Sequence, residues 1–180
     1  MLDAAEYLLS EQGVDLLTLR EVAKIAGVSH AAPYHHFKNR EALLAGVAAR
    51  GFDALANAMR SEGAHAPAER LAQTCEAYIA FARQYPARFR LMFGPLLARK
   101  REFPELKDAA ERSFYLLLNQ SEAADAANGL DLALAGWAMA HGLAHLSIDG
   151  CLDSLPVPVD KSPELERRLG TWLLRGDVKK

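Results

Sequence analysis

Residues 18–40 of this 180-residue chain read TLREVAKIAGVSHAAPYHHFKNR, and they are its most informative segment. Thr18 and Glu21 have the spacing of a capping box, which predicts that a short helix begins at Thr18. Gly27 permits a tight turn after that helix. A further short helix is predicted over 29–37, with its first residue, a serine, as the cap. Two short helices that meet at a tight turn are typical of a helix-turn-helix.

The charges of this stretch suit contact with a polyanion. There is no acidic residue between Val22 and Arg40. The basic or titratable side chains there are Lys24, His30, His35, His36, Lys38 and Arg40, and Tyr34 adds an aromatic hydroxyl. Such a surface can bind phosphates. A solvated face has the same composition, so charge alone leaves both interpretations open.

The overall composition is that of an ordinary globular protein, with 51% hydrophobic and 24% charged residues. The net charge of -2 does not argue against DNA, because only the face that meets phosphate must be positive. Cys75 and Cys151 lie far apart, so neither a disulfide framework nor a structural zinc site is predicted, and we expect no cofactor. With no signal peptide or long apolar run in the sequence, we expect a cytoplasmic protein without membrane contact.

Helical periodicity continues along the chain, and sustained alternation typical of strands is absent from the sequence. We therefore predict an all-α protein of about nine helices. The fourth helix should begin after Asn39, the seventh at Pro104, the eighth at about 126, and the ninth at Pro163.

Residues 17–44 resemble the DNA-binding signature of the TetR family. That signature has a threonine-capped helix, Ala-Gly-Val-Ser, a short variable stretch, Tyr-x-x-Phe and a Lys-Glu pair. In this chain the corresponding residues are Thr18, Ala26-Gly27-Val28-Ser29, Tyr34-His35-His36-Phe37 and Arg40-Glu41. The several matching points at fixed spacing make the resemblance specific.

The resemblance implies a three-helix DNA-binding domain over 1–46 whose third helix enters the major groove. Thr18, Tyr34 and Arg40 would contact phosphates, and Phe37 would belong to the core. The full set of predicted DNA-binding residues is Thr18, Ser29, His30, Ala31, Ala32, Tyr34, His35, His36, Lys38 and Arg40. The alternatives are packing for Tyr34 and plain solvation for the histidines and Lys24.

Three departures from the family pattern stand out. Arg40 replaces the usual lysine, which keeps the charge and changes the hydrogen-bond geometry. Pro33 lies inside the predicted third helix, where it should forfeit only the bond to Ser29, at small cost. The sequence also begins directly in the first helix, without the basic arm that many relatives extend toward the minor groove.

Residues 47–180 are predicted to form a helical ligand-binding and dimerisation domain. Most aromatic side chains in such a domain belong to the core. An apolar pocket for a small, largely apolar effector would also use them. The candidates for its lining are Tyr78, Phe81, Phe89, Phe93, Phe114 and Trp137.

The eighth helix is apolar on two sides, so both sides must be covered. Its two stripes are Leu130, Leu134, Trp137, His141 and Ile148, and Leu132, Met139, Leu143 and Leu146. Two helices from each of two protomers can form a four-helix interface. The predicted interface residues are Leu143, Leu146, Leu165, Leu169, Trp172 and Leu173. The alternative is that helices eight and nine cover each other within one chain.

Residues 137–142 resemble the Trp-x-x-x-His-Gly element of one TetR C-terminal subclass, which implies no particular effector. His141, His145 and Asp149 are spaced to meet on one helix face, which leaves a helical hydrolase or metal-dependent enzyme as an alternative. The glutamate of HExxH, a nucleophile elbow and a phosphate loop are all missing from the sequence, so we predict neither an enzyme nor a metal site. A helical scaffold or ligand-binding protein without DNA activity is a third alternative.

The resulting prediction is a DNA-binding transcriptional regulator that acts as a homodimer on a pseudo-palindromic operator in double-stranded DNA. We expect a repressor that a small effector releases by binding the DNA-incompetent state more tightly.

Overall fold

The computed structural model describes residues 1–60, 66–159 and 163–175. All regular secondary structure in these residues is helical, which confirms the predicted all-α class. The α-helices are α1 (Leu2–Gln12), α2 (Leu19–Ile25), α3 (Arg40–Ala58), α4 (Pro67–Gln84), α5 (Pro86–Met92), α6 (Pro95–Ala98), α7 (Pro104–Ala124), α8 (Gly129–Ile148) and α9 (Pro163–Arg175). Short 3-10 helices cover Ala32–His35, Lys100–Glu102 and Cys151–Ser154.

Local hydrogen bonds start and stop the helices of the helix-turn-helix where the sequence predicts. The Glu21 N–H donates to Thr18 Oγ1 at 3.2 Å, and the Ala42 N–H donates to Asn39 Oδ1 at 2.9 Å. Gly27 has φ 66°, which closes the turn after α2 in the left-handed region that favours glycine. Caps and one glycine therefore define both ends of the motif.

The predicted third helix over 29–37 is wrong in type and length. The chain forms a turn and then a single 3-10 helix at Ala32–His35. Pro33 explains the difference, because it has no N–H and its ring clashes with the carbonyl of residue 29 in an α-helix. The backbone instead makes i to i−3 bonds, from Ala32 to Ser29 at 3.0 Å and from Tyr34 to Ala31 at 3.1 Å.

The chain divides into two compact units. The first unit comprises Met1–Ala54 and Tyr85–Arg112. The second comprises Leu55–Gln84 and the described residues from Ser113 onward. We describe each by itself, and the functional division at residue 46 remains a prediction.

The first unit is built around one apolar core with ion pairs at its edge. Its buried residues are Ala5, Leu8, Leu9, Leu17, Leu19, Val22, Leu43, Leu44 and Val47. Phe37, expected in the core, packs against it half-buried. Arg88 pairs with Glu6 at 2.8 Å, which links α5 to α1. The helix-turn-helix therefore packs on this core.

In the second unit, α4 packs against α8 and α9. The buried face of α8 consists mainly of small residues: Gly129, Ala133, Gly136, Ala140, Leu143 and Ala144. Leu130, Leu134 and Leu146 of the two apolar stripes are exposed. Small side chains let two helix backbones approach closely, so they line the contact, and the larger residues flank it. Within the described residues, every helix is too short or too polar to cross a lipid bilayer.

Candidate functional site

The segment over 29–36 presents its polar side chains to solvent. Tyr34 is 63% exposed, so its ring is not a packing residue. The other exposed side chains of the segment are Ser29, His30, Ala31, His35 and His36, with Ala32 half-buried. Hydroxyl, imidazole and methyl groups of this segment are therefore accessible to solvent, as is the side chain of Lys38. These groups can donate to phosphates and touch base edges.

Two residues anchor this surface to the first unit. Pro33 is the buried residue of the 3-10 helix, and its carbonyl accepts the Phe37 N–H at 2.8 Å. Because Phe37 packs against the core, the turn is held at both its middle and its end. Its exposed side chains are thus carried on a fixed backbone.

Arg40 joins the start of α3 to the loop before α2. Its Nε donates to the Leu17 carbonyl at 2.8 Å, and its Nη2 donates to the Val14 carbonyl. A lysine has no planar fork with which to reach two carbonyls in this way. Nη1 has no hydrogen-bond partner, and no carboxylate pairs with Arg40, among the described residues. Arg40 is exposed, so its positive charge and remaining donors are accessible to solvent.

Thr18 and Lys24 stand differently. Thr18 is half-buried and its oxygen accepts the cap bond, while the hydroxyl proton can still donate. Lys24 is exposed and lies 3.8 Å from Glu21, an arrangement that fits the solvated face considered for it.

A polar cluster forms where α4 meets α8 in the second unit. Trp137 Nε1 donates to Tyr78 Oη at 3.3 Å, and Tyr78 Oη lies 2.8 Å from His141 Nδ1. The indole can only donate, so Tyr78 Oη accepts that bond. The second bond joins the same phenolic oxygen to His141 Nδ1, and the tautomer of the imidazole sets which of the two atoms donates.

Burial explains the titration of this cluster. Desolvation raises the pKa of Tyr78 well above its usual range, although the Trp137 hydrogen bond opposes that shift. Desolvation, followed by the nearby charge of His145, lowers the pKa of His141. Both shifts favour the neutral forms of the two side chains.

The space beside this cluster is small. A cavity of about 10 Å³ is lined by residues that include Thr74, Cys75, Gly136 and Trp137. That volume is roughly what one water molecule needs. This cavity by itself is too small for an effector.

The six aromatic residues predicted to line a pocket do not gather in one unit. Tyr78, Phe81, Phe114 and Trp137 belong to the second unit, where the Phe114 and Trp137 ring centroids lie 6.0 Å apart. Phe89 and Phe93 belong to the first unit, 4.8 Å apart, and Phe93 is 5.2 Å from Phe52.

The histidine face of α8 shows a compact arrangement. The His141 and His145 ring centroids lie 4.7 Å apart, and His145 Nδ1 is 3.5 Å from Asp149 Oδ2. Across the residues that the structure describes, no set of three histidine, cysteine or acidic side chains could hold a metal ion.

Sequence reasoning missed two features of the second unit. Buried Thr74 is hydrogen-bonded through Oγ1 to Gln120, which ties α4 to α7. The small residues at 133, 136, 140 and 144 repeat at three- and four-residue intervals, a signal that could have identified the buried face of α8.

The residues predicted for a dimer interface differ in exposure. Trp172 is 70% exposed and Leu146 is also exposed, whereas Leu143 is buried within its own chain. Leu165 and Leu169 are half-buried on α9. The side chain of Leu173 lies outside the described residues.

Two protein families match the sequence. Residues 1–47 match the family described as bacterial regulatory proteins, tetR family. Residues 71–168, more than half of the chain, match the family described as tetracyclin repressor-like, C-terminal domain. Neither match identifies the Trp-x-x-x-His-Gly subclass, which remains a prediction.

A stretch of 59 residues is 49% identical to the tetracycline repressor protein class A from transposon 1721 of Escherichia coli. The match covers 33% of this chain and 24% of that repressor. The resemblance to this curated relative is thus limited to a quarter of its length.

Solved structures are similar over nearly the whole chain. A protein of unknown function from Rhodococcus sp. RHA1 has a TM-score of 0.80 and 32% identity, covering 97% of this chain and 92% of that one. A TetR regulator from Streptomyces coelicolor has a TM-score of 0.75 and 19% identity, covering 97% and 94%. A TetR variant from Acinetobacter baumannii AYE, in complex with minocycline, has a TM-score of 0.66 and 21% identity, covering 97% and 92%.

The family matches agree with the helix-turn-helix that the caps, the glycine turn and the buried proline build. Regulators of this family are DNA-binding transcription factors, not enzymes. The chain belongs to the TetR family of bacterial regulatory proteins.

Proposed function

We propose that this protein is a homodimeric repressor that binds a pseudo-palindromic DNA operator and is released by a small, largely apolar effector. Residues 1–46 would bind DNA, and residues 47–180 would bind the effector and the second copy. One observation carries the DNA part. The anchored turn over 29–36 exposes its polar side chains in a stretch of sequence without acids.

Each group of this surface has a role in the proposal. Tyr34, Thr18 and Lys38 donate to phosphates, and Arg40 adds the donors that its carbonyl bonds leave unused. The imidazoles of His30, His35 and His36 and the methyl groups of Ala31 and Ala32 meet base edges, where a methyl group suits thymine. The 49% identity to a tetracycline repressor over 59 residues supports the role of a repressor.

A second copy of the chain is the proposed partner of α8 and α9. The exposed side chains of Leu146 and Trp172 support this proposal, because large apolar side chains on adjacent elements mark interaction surfaces. Two copies would bring two copies of the turn over 29–36 to neighbouring half-sites. Leu143, Leu165 and Leu169 would then support the interface from beneath, with Leu173 as the remaining candidate.

The proposed effector site is the region of Tyr78, Trp137 and His141, with Phe81 and Phe114 beside it. A minocycline complex of a TetR variant with a similar fold supports a small-molecule ligand for this protein. Because this cavity has a volume of only about 10 Å³, an effector that uses it would bind a conformation in which α4 and α8 separate. A ligand that binds only this open state shifts the population toward it. Phe89 and Phe93, in the first unit, are the weaker candidates.

DNA binding can be tested with a duplex from the region upstream of the protein's own gene and a scrambled duplex as control. We expect fluorescence anisotropy to detect preferential binding that weakens steeply as salt rises. Tyr34→Phe with Arg40→Ala should weaken binding by about tenfold to a hundredfold, because two phosphate contacts are lost. Arg60→Ala, an exposed arginine of the second unit, is the matched control. Equal binding of both duplexes, or an unaffected double variant, would contradict the proposal.

The dimer can be tested by sedimentation of Leu146→Glu with Trp172→Glu. We expect the wild type to sediment as a dimer and the double variant as a monomer, since buried unpaired carboxylates are costly. Leu155→Glu, at another exposed leucine, should leave the dimer intact. A monomeric wild type would exclude the two-site operator.

A further inference from the structure

The first unit contains a groove beside the helix-turn-helix. It lies between the end of α1, the start of α3 and the α5–α6 segment, and its volume is about 480 Å³. Small-molecule sites have volumes of about 300–1,000 Å³. The groove is therefore large enough for a metabolite and too small for a folded partner.

The floor of the groove is apolar. Leu9 and Leu44 are buried members of the core, and Leu91 and Leu96 are half-buried above it. Val14 forms part of the opposite wall. An apolar group placed here would cover leucine surface that the chain leaves partly open to water.

The rim of the groove is cationic. Arg40, Arg90 and Arg99 line it, against the single carboxylate of Glu41. Glu41 pairs with Arg99 at 3.0 Å, and Arg99 also pairs with Glu102 at 2.7 Å, so these charges compensate one another.

Arg40 is different because its partners are backbone carbonyls. Neither carbonyl neutralises the guanidinium charge, and no carboxylate pairs with it in the described part of the chain. Arg40 is also the first residue of the 19-residue helix α3, whose N-terminus adds a partial positive charge. The rim thus carries positive charge next to an apolar floor.

We propose that this groove binds an amphipathic organic acid, with its anionic group on Arg40 and its apolar body over Leu44, Leu91 and Leu96. The anion accepts hydrogen bonds from the guanidinium donors that Val14 and Leu17 do not use. A neutral ligand gains only the apolar contact, and a cation is repelled. The site is separate from the effector region proposed in the second unit and does not depend on it. It uses the same Arg40 donors that we propose for DNA phosphate, so the acid and the operator would compete for them.

Two fluorescent probes with the same aromatic rings test the class of ligand. Anilinonaphthalene sulfonate carries a negative charge, and phenylnaphthylamine lacks it. We expect the wild-type protein to bind the sulfonate at least about tenfold more tightly, since hydrogen bonds to charged groups are stronger than neutral contacts. Equal affinity for the two probes overturns the proposal.

Two pairs of variants locate the site. Leu96→Trp fills the groove and should weaken binding of both probes by about tenfold or more, while Ala98→Trp, exposed on the same helix, should not. Arg40→Gln should abolish the preference for the sulfonate and leave phenylnaphthylamine binding unchanged. Arg101→Gln makes the same charge change outside the groove and should keep the preference.

Sulfonate binding that survives Leu96→Trp, or a preference that survives Arg40→Gln, places the probe elsewhere and overturns the proposal. Circular dichroism checks that each variant is folded. Should Leu96→Trp unfold the protein, Val14→Trp fills the groove from a partly exposed position on the opposite wall. Because no DNA is present, failure here leaves the proposed operator binding untouched, and failure to bind DNA leaves this site untouched.

Discussion

The helix-turn-helix and the α4–α8 contact are held together by different kinds of hydrogen bond. In the first, bonds between residues close in sequence fix the backbone, as from Glu21 to Thr18, and the functional candidates point outward. In the second, Tyr78 and His141 lie 63 residues apart and are joined by side chains in a half-buried interior. The side chains that we propose for DNA contact are therefore accessible as folded, whereas Tyr78 and His141, proposed for the effector site, are buried and half-buried.

The largest expected effect tests whether burial, more than local bonding, stabilises the helix-turn-helix. Leu17 is fully buried and its neighbour Leu16 is 54% exposed. Leu17→Ala should lower the free energy of unfolding by about 2–5 kcal/mol, because a cavity is left in the core. Leu16→Ala should change it by less than about 0.5 kcal/mol. Urea unfolding measures both, and similar losses would show that the motif does not depend on its core.

The next effect concerns the interior of the second unit. Tyr78→Phe removes the acceptor that Trp137 uses and the hydroxyl group that is hydrogen-bonded to His141. We expect a loss of about 1–3 kcal/mol in the free energy of unfolding, since buried polar groups lose their partner. Tyr115→Phe, at an exposed tyrosine of α7, is the control and should be neutral. A neutral Tyr78→Phe would mean that the cluster does not help to hold α4 against α8.

A smaller effect is expected from the local bonds of the helix-turn-helix. Thr18→Ala removes the cap of α2 and should cost about 1 kcal/mol in urea unfolding, while Thr18→Ser should retain most of the stability. If both substitutions cost the same, the cap bond is not what starts α2.

The smallest effect is a pH dependence that His141 of the second unit should contribute. Because the pKa of His141 is lowered on folding, the unfolded chain binds the proton more readily. The stabilisation is present above the usual pKa of about 6.5 and decreases as the pH falls through that value. Urea unfolding between about pH 8 and pH 5.5 should show this decline in the free energy of unfolding. The chosen pH range lies above that in which most carboxylates titrate.

His141→Gln should reduce that decline, and His30→Gln, at an exposed histidine of the turn over 29–36, should leave it unchanged. An equal decline in all three proteins would assign the pH dependence to other groups.

Sequence reasoning succeeded where a few adjacent residues decide the structure. Thr18 and Asn39 cap the helices that follow them, and Pro104 begins α7 as predicted. It failed at Pro33, whose cost was judged from one missing bond. The ring also excludes the α-helical carbonyl position, so the segment forms a 3-10 helix.

The second unit was harder to predict because its contacts depend on which helices meet. Large residues such as Leu130 and Leu134 suggested the contact face of α8, yet small residues such as Gly136 and Ala140 occupy it. Periodicity identifies an apolar face and not its neighbour. For the same reason, the sequence could not separate Phe89 and Phe93 from the aromatic residues of the other unit.

The buried Pro33 of the turn over 29–36 has an energetic consequence. Pro33 has its backbone torsion φ fixed by its ring before any ligand arrives, and Phe37 is tied to it by a hydrogen bond of 2.8 Å. A segment that is already ordered loses less conformational entropy on association than one that must fold onto its partner. Rigidity here therefore preorganises the turn, so that more of the contact energy is retained as affinity.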